Sequence, residues 1–302
     1  MVGKASADLT KYFYVNYGLI EPPEVTSDYL QIQNKGTVYA KSRKMEPPFS
    51  PQVIPSSQDN SRMVYFWITQ YSINTLLYQA HATGLLKYQI TKAMLPPSDQ
   101  PVLDMVCGQY CIGSAFPGLP PNDQPVLDMV CGQYCIGSAF PEVASRYQDY
   151  SVDVGLESTS MPRATLSTNR MTIEASVMVD FKLRSPSNRL SSLASLNVSA
   201  SLTFAPSIRN DILGGRVQSP SLELSDVKLV GGKILNTPTV LDTILTKLFA
   251  IVVVPKLNVL TVQGFHLPGA DGFSLRNAIV NVRPGYIMIG SDMAVHWFTF
   301  AA

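Results

Sequence analysis

Seven apolar residues, Met171, Ile173, Ala175, Val177, Val179, Phe181 and Leu183, hold one parity for thirteen residues. Side chains alternate faces along a β-strand, so this run predicts a strand with one dry face and one wet face. Such alternation belongs to antiparallel sheets. Ala194, Leu196, Val198, Ala200, Leu202 and Phe204 repeat the pattern against Ser and Thr, and Val152, Val154 and Leu156 start it. Both long runs exceed the usual ~5–6 residues of a strand, and strands of that length curve around something. Leu222 to Val230 and Phe273 to Val282 are expected to continue the sheet. Tyr286 to Ile289 and Met293 to Phe298 are expected to close it.

Two helices have the pattern to fill such a sheet. Met63 to Ile68 is a continuous apolar, β-rich run that reads as a buried strand. Thr69 then caps a helix in which Ile73, Leu76, Leu77 and Ala80 form one stripe, and Gly84 stops it. In the second helix Thr237 is the cap and Pro238 the first helical residue. Leu241, Ile244, Leu245, Leu248, Ile251 and Val252 make its apolar face. Pro255 is expected to kink this helix, because Leu257 and Leu260 carry the pattern on toward Gly264. The fold class is therefore α+β: a long, strongly twisted antiparallel sheet wrapped around two long helices.

Composition narrows the function classes. The chain has 302 residues, 46% of them hydrophobic and 15% charged, with a net charge of +1. That balance gives no electrostatic draw toward nucleic acid, which is not an expected partner. Ser and Thr replace charge on the polar faces. The longest pure apolar run, Leu248 to Val254, is too short to span a bilayer, so no transmembrane segment is expected. Met1 to Asp8 has no apolar core, so no signal peptide is visible.

Ahead of the first helix, Tyr14 to Ile20, Tyr29 to Gln33 and Thr37 to Ala40 read as strands. Pro47, Pro48, Pro51 and Pro55 form a stiff connector. Between the first helix and the long strands lies a tandem duplication. Residues 95–117 and 119–141 match at every position except Ser98 against Asn122. Leu103, Val106, Cys107 and Tyr110 suggest a short helical stripe in each copy. The two copies are near-identical, so either fits the same helical slot, and the other is expected to loop out.

Catalytic signatures are missing. His81, His266 and His296 sit in no metal or triad spacing. No nucleophile elbow, zincin motif or phosphate loop occurs, and no cofactor is expected. All four cysteines, Cys107, Cys111, Cys131 and Cys135, lie in the duplication. Their spacing lacks the glycines of a zinc knuckle and a His–Asn pair for nucleophilic chemistry. A disulfide between the copies and buried free thiols both remain open. Asn197-Val-Ser199 is an N-glycosylation acceptor, usable if the chain is secreted.

Short words in fixed order carry a resemblance: Tyr17-Gly-Leu-Ile-Glu-Pro-Pro-Glu24, Asn34-Lys-Gly36, Pro47-Pro-Phe-Ser-Pro51, Met63-Val-Tyr65, Asn74-Thr75, Gly84, Pro141-Glu-Val143, Pro255-Lys256, Asn258, Gly264-Phe265 and Leu267-Pro268. From about residue 10 to 298 the chain resembles the C-terminal half of the bactericidal/permeability-increasing, lipopolysaccharide-binding and plasma lipid transfer protein family. The resemblance implies one barrel of a two-barrel boomerang. Residues 1–57 would be a remnant of the central sheet plus the connector, and residues 58–302 the lipid-binding barrel. It implies an extracellular, non-enzymatic protein of innate defence or lipid transfer, as a fragment or alternative product of a longer secreted chain. Expected partners are a phospholipid or other acyl lipid, a bacterial envelope lipid, or a cell-surface receptor. Lipopolysaccharide binding is not carried over, since the family's basic tip belongs to the N-terminal barrel. Deleting either copy restores the family spacing into Pro141-Glu-Val143.

Two readings follow for the apolar helix faces. In one, acyl tails lie between helices and sheet, lined by Ile73, Leu76, Leu77, Phe181, Phe204, Ile244, Leu248, Ile251 and Val252. An unfilled apolar space costs about 24 cal/mol per Å³, and a tail regains about 0.8 kcal/mol per methylene. In the other, the same residues pack a solid core and the domain acts by docking to a receptor or cell surface.

Overall fold

The computed structural model describes residues 6–51, 54, 61–107, 110–112, 130–132, 135–209, 211–229, 238–267 and 273–295. The long alternations become the centre of one antiparallel sheet. Its strands are β4 (Lys87–Ile90), β5 (Ser151–Ser158), β6 (Arg163–Ser167), β7 (Arg170–Arg184), β8 (Leu190–Arg209) and β9 (Ile212–Leu229), with the pair Phe265–His266 at its edge. These labels continue a count that begins with β1 (Phe13–Asn16), β2 (Thr37–Ala40) and β3 (Val64–Thr69). The strand order is Phe265–His266, β9, β8, β7, β5, β4, and β6 pairs β7 beside that path. Odd residues of β7 and even residues of β8 share the dry face, with Val179 opposite Leu196 and Val177 opposite Val198.

Three irregularities bend these strands. The register shifts between Phe181 and Lys182, between Ser195 and Asn197, and between Thr203 and Phe204. Each extra residue raises local twist, and long strands curl in this way. The result is a strongly curled antiparallel sheet in an α+β domain.

One long strand serves two cores. β7 has fifteen residues, which at ~3.4 Å each reach ~50 Å. A thirteen-residue helix, at ~1.5 Å per residue, is only ~20 Å long, so it does not cover the strand. Helix α1 (Gln70–Ala82) covers the end near Met171 and Ile173. The other end, from Val177 to Leu183, is covered by α2 (Pro238–Leu248).

The ends of α1 follow the sequence closely. Thr69 is the N-cap, and its side chain accepts from the Ser72 N–H. At the other end the Leu85 N–H bonds the Ala80 carbonyl and the Gly84 N–H bonds the His81 carbonyl. That pair of bonds needs a left-handed residue, and Gly84 supplies it with φ +70°. Thr237, the expected cap of the second helix, lies outside the described residues.

The second helix kinks by an identifiable device. After α2 the chain makes a π-turn, Phe249–Val253, and then α3 (Val254–Gln263). Pro255 lacks an N–H and its ring would press on the carbonyl four residues back. Widening the preceding turn removes that conflict.

The last strands differ from the expectation. β10 (Phe273–Arg283) and β11 (Tyr286–Val295) do not close the main sheet; with β3 they form a separate three-stranded sheet, in the order β10, β11, β3. Tyr286 to Val295 is one strand where two were expected, and Phe298 lies outside the described residues. The physical reason is the run Met63 to Ile68, which offers β11 a six-residue partner from the distant start of the domain. A further small sheet joins Ser6–Asp8, β1 and β2 and packs against α1.

The duplication is used in a way neither copy alone explains. Leu95, Val102, Leu103 and Met105 of the first copy and Ile136, Ala139 and Phe140 of the second fill one core together. A disulfide joins Cys107 of the first copy to Cys135 of the second, with Cα atoms 5.2 Å apart. The expected helical stripe does not form. Gln100–Leu103 is a 3-10 turn, Val106 is exposed, and Tyr110 lies in a strand. Two prolines, Pro96 and Pro101, keep the first copy from helical continuity.

Candidate functional site

An apolar cleft runs between α2 and the dry face of the sheet. Ile90, Val154, Leu156, Val177, Val179, Val198, Ala200 and Leu222 form its sheet wall. Leu245 and Leu248 of α2, with Phe249 and Val253 of the π-turn, form its roof. Each wall residue sits at a dry-face position of its strand, which is why the cleft carries no charge. Only about 20 Å³ of it is wide enough for the centre of a water-sized sphere. That is room for about one water. The seam is therefore greasy and narrow.

The nine candidate lining residues do not converge on this cleft. Phe181, Ile244, Leu248, Ile251 and Val252 belong to its core, and Leu248 faces the cleft itself. Phe204, Ile73 and Leu77 pack instead at the far end of the sheet, with Leu166, Met171 and Ile289. Leu76 turns to a third cluster with Phe13, Val15 and Val38. The split follows from the length of β7: two helices on one strand do not share a slot.

Several cleft residues were visible only as pattern. Val177 and Val198 were phased by alternation, and Leu245 by helical spacing. Nothing in the sequence placed Phe249 and Val253 over the sheet, because the π-turn rotates them there. A kink at Pro255 was legible, but its π character was not.

Behind the cleft, on β5, the Asp153 side chain is buried between strands. It accepts from Arg184 Nε at 2.9 Å and Gln89 Nε2 at 2.8 Å, and a second Arg184 nitrogen also contacts it. The Asp153 carboxylate holds the Arg184 guanidinium above its ordinary pKa. Every acceptor there is used to join β4, β5 and β7, so the group is a cross-strand clamp. Asn197 lies exposed on the wet face of β8, opposite Met178. His81 Nδ1 is 2.8 Å from Ser158 Oγ, which ties the end of α1 to β5. Among the described residues no three His, Cys, Asp or Glu side chains gather as a metal site. Among them, too, no helix is long and apolar enough to cross a membrane.

Comparison with known proteins gives this architecture its place. The family model described as LBP / BPI / CETP family, C-terminal domain, matches residues 7–295. The bactericidal permeability-increasing protein of Sebastes schlegelii is 24% identical over 288 residues, covering 95% of this chain and 54% of that protein. The lipopolysaccharide-binding protein of Bos taurus is 24% identical, covering 92% and 52%. The human BPI fold-containing family C protein is 24% identical, covering 94% and 50%. A crystal structure of lipopolysaccharide binding protein superposes with a TM-score of 0.48 at 16% identity, over 97% of this chain and 57% of that one. The chain thus spans about half the length of the curated relatives it matches. With the match running over residues 7–295, the chain belongs to the LBP / BPI / CETP family, as its C-terminal domain.

Proposed function

We propose that this domain binds lipid by its acyl chains, in the seam between α2 and the dry face of the sheet, and is not an enzyme. The observation that carries the reading is the seam itself. Its lining is apolar from wall to roof, and a narrow unfilled space lies along it. A tail enters by parting α2 from the sheet. Leu245, Leu248, Phe249 and Val253 then line its path on the helix side, with Phe181, Ile244, Ile251 and Val252 packed in the core behind them, while Ile73, Leu76, Leu77 and Phe204 serve the α1 end. Each methylene buried contributes about 0.8 kcal/mol, which offsets the separation of the two faces. The names of the relatives, bactericidal permeability-increasing and lipopolysaccharide-binding, support a lipid partner and a role in innate defence. Lipid transfer is the neighbouring role within that family. An extracellular setting agrees with the Cys107–Cys135 disulfide, because such bonds persist in oxidising compartments. Asn197 is then available for glycosylation.

The test is extraction. The protein is purified from a secreting eukaryotic host, extracted with organic solvent, and the extract weighed by mass spectrometry. A stoichiometric phospholipid or other acyl lipid is expected. A folded protein that yields none, and that takes up no fluorescent fatty acid, overturns the reading.

A second reading has its own observation. Space for about one water is the space of a solid core. In that reading the domain works by docking to a receptor or cell surface, and its lipid-free form is the active one. The same extraction separates the two.

A further inference from the structure

The duplication leaves two cysteines beyond the bridged pair, and the backbone brings them together. Tyr110–Ile112 and Val130–Gly132 pair as antiparallel strands. In that register Cys111 stands directly opposite Cys131, flanked by Tyr110 opposite Gly132 and Ile112 opposite Val130. Counting four residues back from Cys111 and four forward from Cys131 reaches Cys107 and Cys135, the bridged pair. Both cysteine pairs therefore lie on one antiparallel register.

We propose that Cys111 and Cys131 form a second disulfide, nested inside Cys107–Cys135. Directly opposed residues of an antiparallel pair have Cα atoms ~4.5–5.5 Å apart. Disulfides span Cα separations of ~4.4–6.8 Å, so the register needs no backbone shift. The arrangement follows from the duplication. When two copies of Cys-x-x-x-Cys run antiparallel, the first cysteine of one meets the second of the other, twice. With Cys107 held by Cys135, Cys111 and Cys131 are each other's only partners within the chain.

The step balances as thiol–disulfide exchange. The Cys111 thiolate attacks a small-molecule disulfide such as oxidised glutathione, releasing one thiol and leaving a mixed disulfide. The Cys131 thiolate then attacks the Cys111 sulfur and expels the second thiol. Two protons and two electrons leave the protein, and the oxidant is reduced to two thiols. The product is a ribbon closed by two rungs, in which the duplicated segment is tethered to the core at both strands.

Non-reducing digestion in two stages tests the pairing on the intact protein. Cleavage before aspartate gives fragments 104–122 and 128–148, each holding two cysteines. The nested pairing keeps them linked, whereas pairing within each copy sets them free. A second cut after Tyr110 and Tyr134 separates the remaining alternative. Nested bridges join the fragment ending at Tyr110 to the one beginning at Cys135, and the fragment ending at Tyr134 to the one beginning at Cys111. Crossed bridges instead join the two Tyr-ending fragments, which have the same sequence, to each other. Expected results are linked fragments at the first stage, no self-pair at the second, and an intact mass four hydrogens below the fully reduced chain. Two alkylatable thiols in the unfolded, unreduced protein, free fragments, or the self-pair would each overturn the proposal. The double variant Cys107→Ser, Cys135→Ser supplies an independent check. It should still link 104–122 to 128–148, and two free thiols in that variant would refute the pairing.

Discussion

The two helices rest on the same sheet by different physics. α1 is fastened by directional bonds from buried and half-buried polar side chains. Asn74 bonds both backbone groups of Ala164, accepting at 2.7 Å and donating at 3.2 Å. Gln70 accepts from the Leu166 N–H at 2.9 Å, and Thr75 accepts from the Val38 N–H at 3.0 Å. Gln79 reaches the Met45 carbonyl at 2.6 Å. The side chains of α1 thus complete strand edges on both sides of it. α2 faces its core with Leu241, Ile244, Leu245 and Leu248, over the cleft. Aliphatic contact has no preferred direction, so a helix held by it shifts at lower cost than one held by hydrogen bonds. The difference assigns anchoring to α1 and adaptability to α2.

That contrast can be broken by substitution. Asn74→Ala strips two backbone groups of their partners in a buried place and should cost about 4 kcal/mol, at ~1–3 kcal/mol per stranded group. Urea unfolding monitored by circular dichroism measures it, and a cost below that of an α2 truncation defeats the contrast. Leu245→Ala should cost only about 2 kcal/mol, the low end of the range for buried leucine, because α2 can settle onto the sheet. Ala200→Val adds bulk to the cleft wall and should change stability by less than about 1 kcal/mol. If the seam takes a tail, the same variant lowers lipid recovered on extraction severalfold.

The smallest effect concerns pH. The Tyr39 hydroxyl donates to Glu46 at 2.8 Å and holds its carboxyl below the usual carboxylate range. A depressed carboxylate stabilises the fold above its unfolded pKa and loses that contribution as pH falls through the folded value. The Glu46 side chain is 61% exposed, so solvent screening keeps the loss under about 0.5 kcal/mol. Glu46→Gln should flatten this part of the acid limb of the stability profile and leave neutral-pH stability within that margin.

Much of this was legible because it is local. The parity of Met171 to Leu183 became β7, and Thr69 and Gly84 bounded α1, since caps and alternation depend on neighbours in sequence. Thr75 and Gln79 were not legible as buried residues. Polar side chains that complete a strand edge look, in a pattern, like a solvent face. The strand expected from Leu222 begins ten residues earlier, at Ile212, and runs through Gly214 and Gly215, which carry no side chain to mark a face. At Gly215 any Cβ would lie 2.4 Å from the Phe204 ring. The pairing of β3 with β11 joins residues more than two hundred positions apart, and no local signal encodes it. For the candidate site, alternation and helical spacing found the faces. They could not show which faces meet, because that depends on strand length and on the turn before Pro255.

The shared core of the two copies has a consequence for how this chain can vary in length. Leu95 to Met105 at one end and Cys135 to Phe140 at the other satisfy the interior whatever joins them. Removing one period, residues 108–131, would leave Cys-Gly-Gln-Tyr-Cys in a single short turn with the same buried residues. Adding a period would lengthen the excursion, at about 0.6 kcal/mol of closure entropy per doubling, and bring two more cysteines. Expansion or contraction there should therefore weigh little on folding, and urea unfolding of the chain lacking residues 108–131 measures the effect.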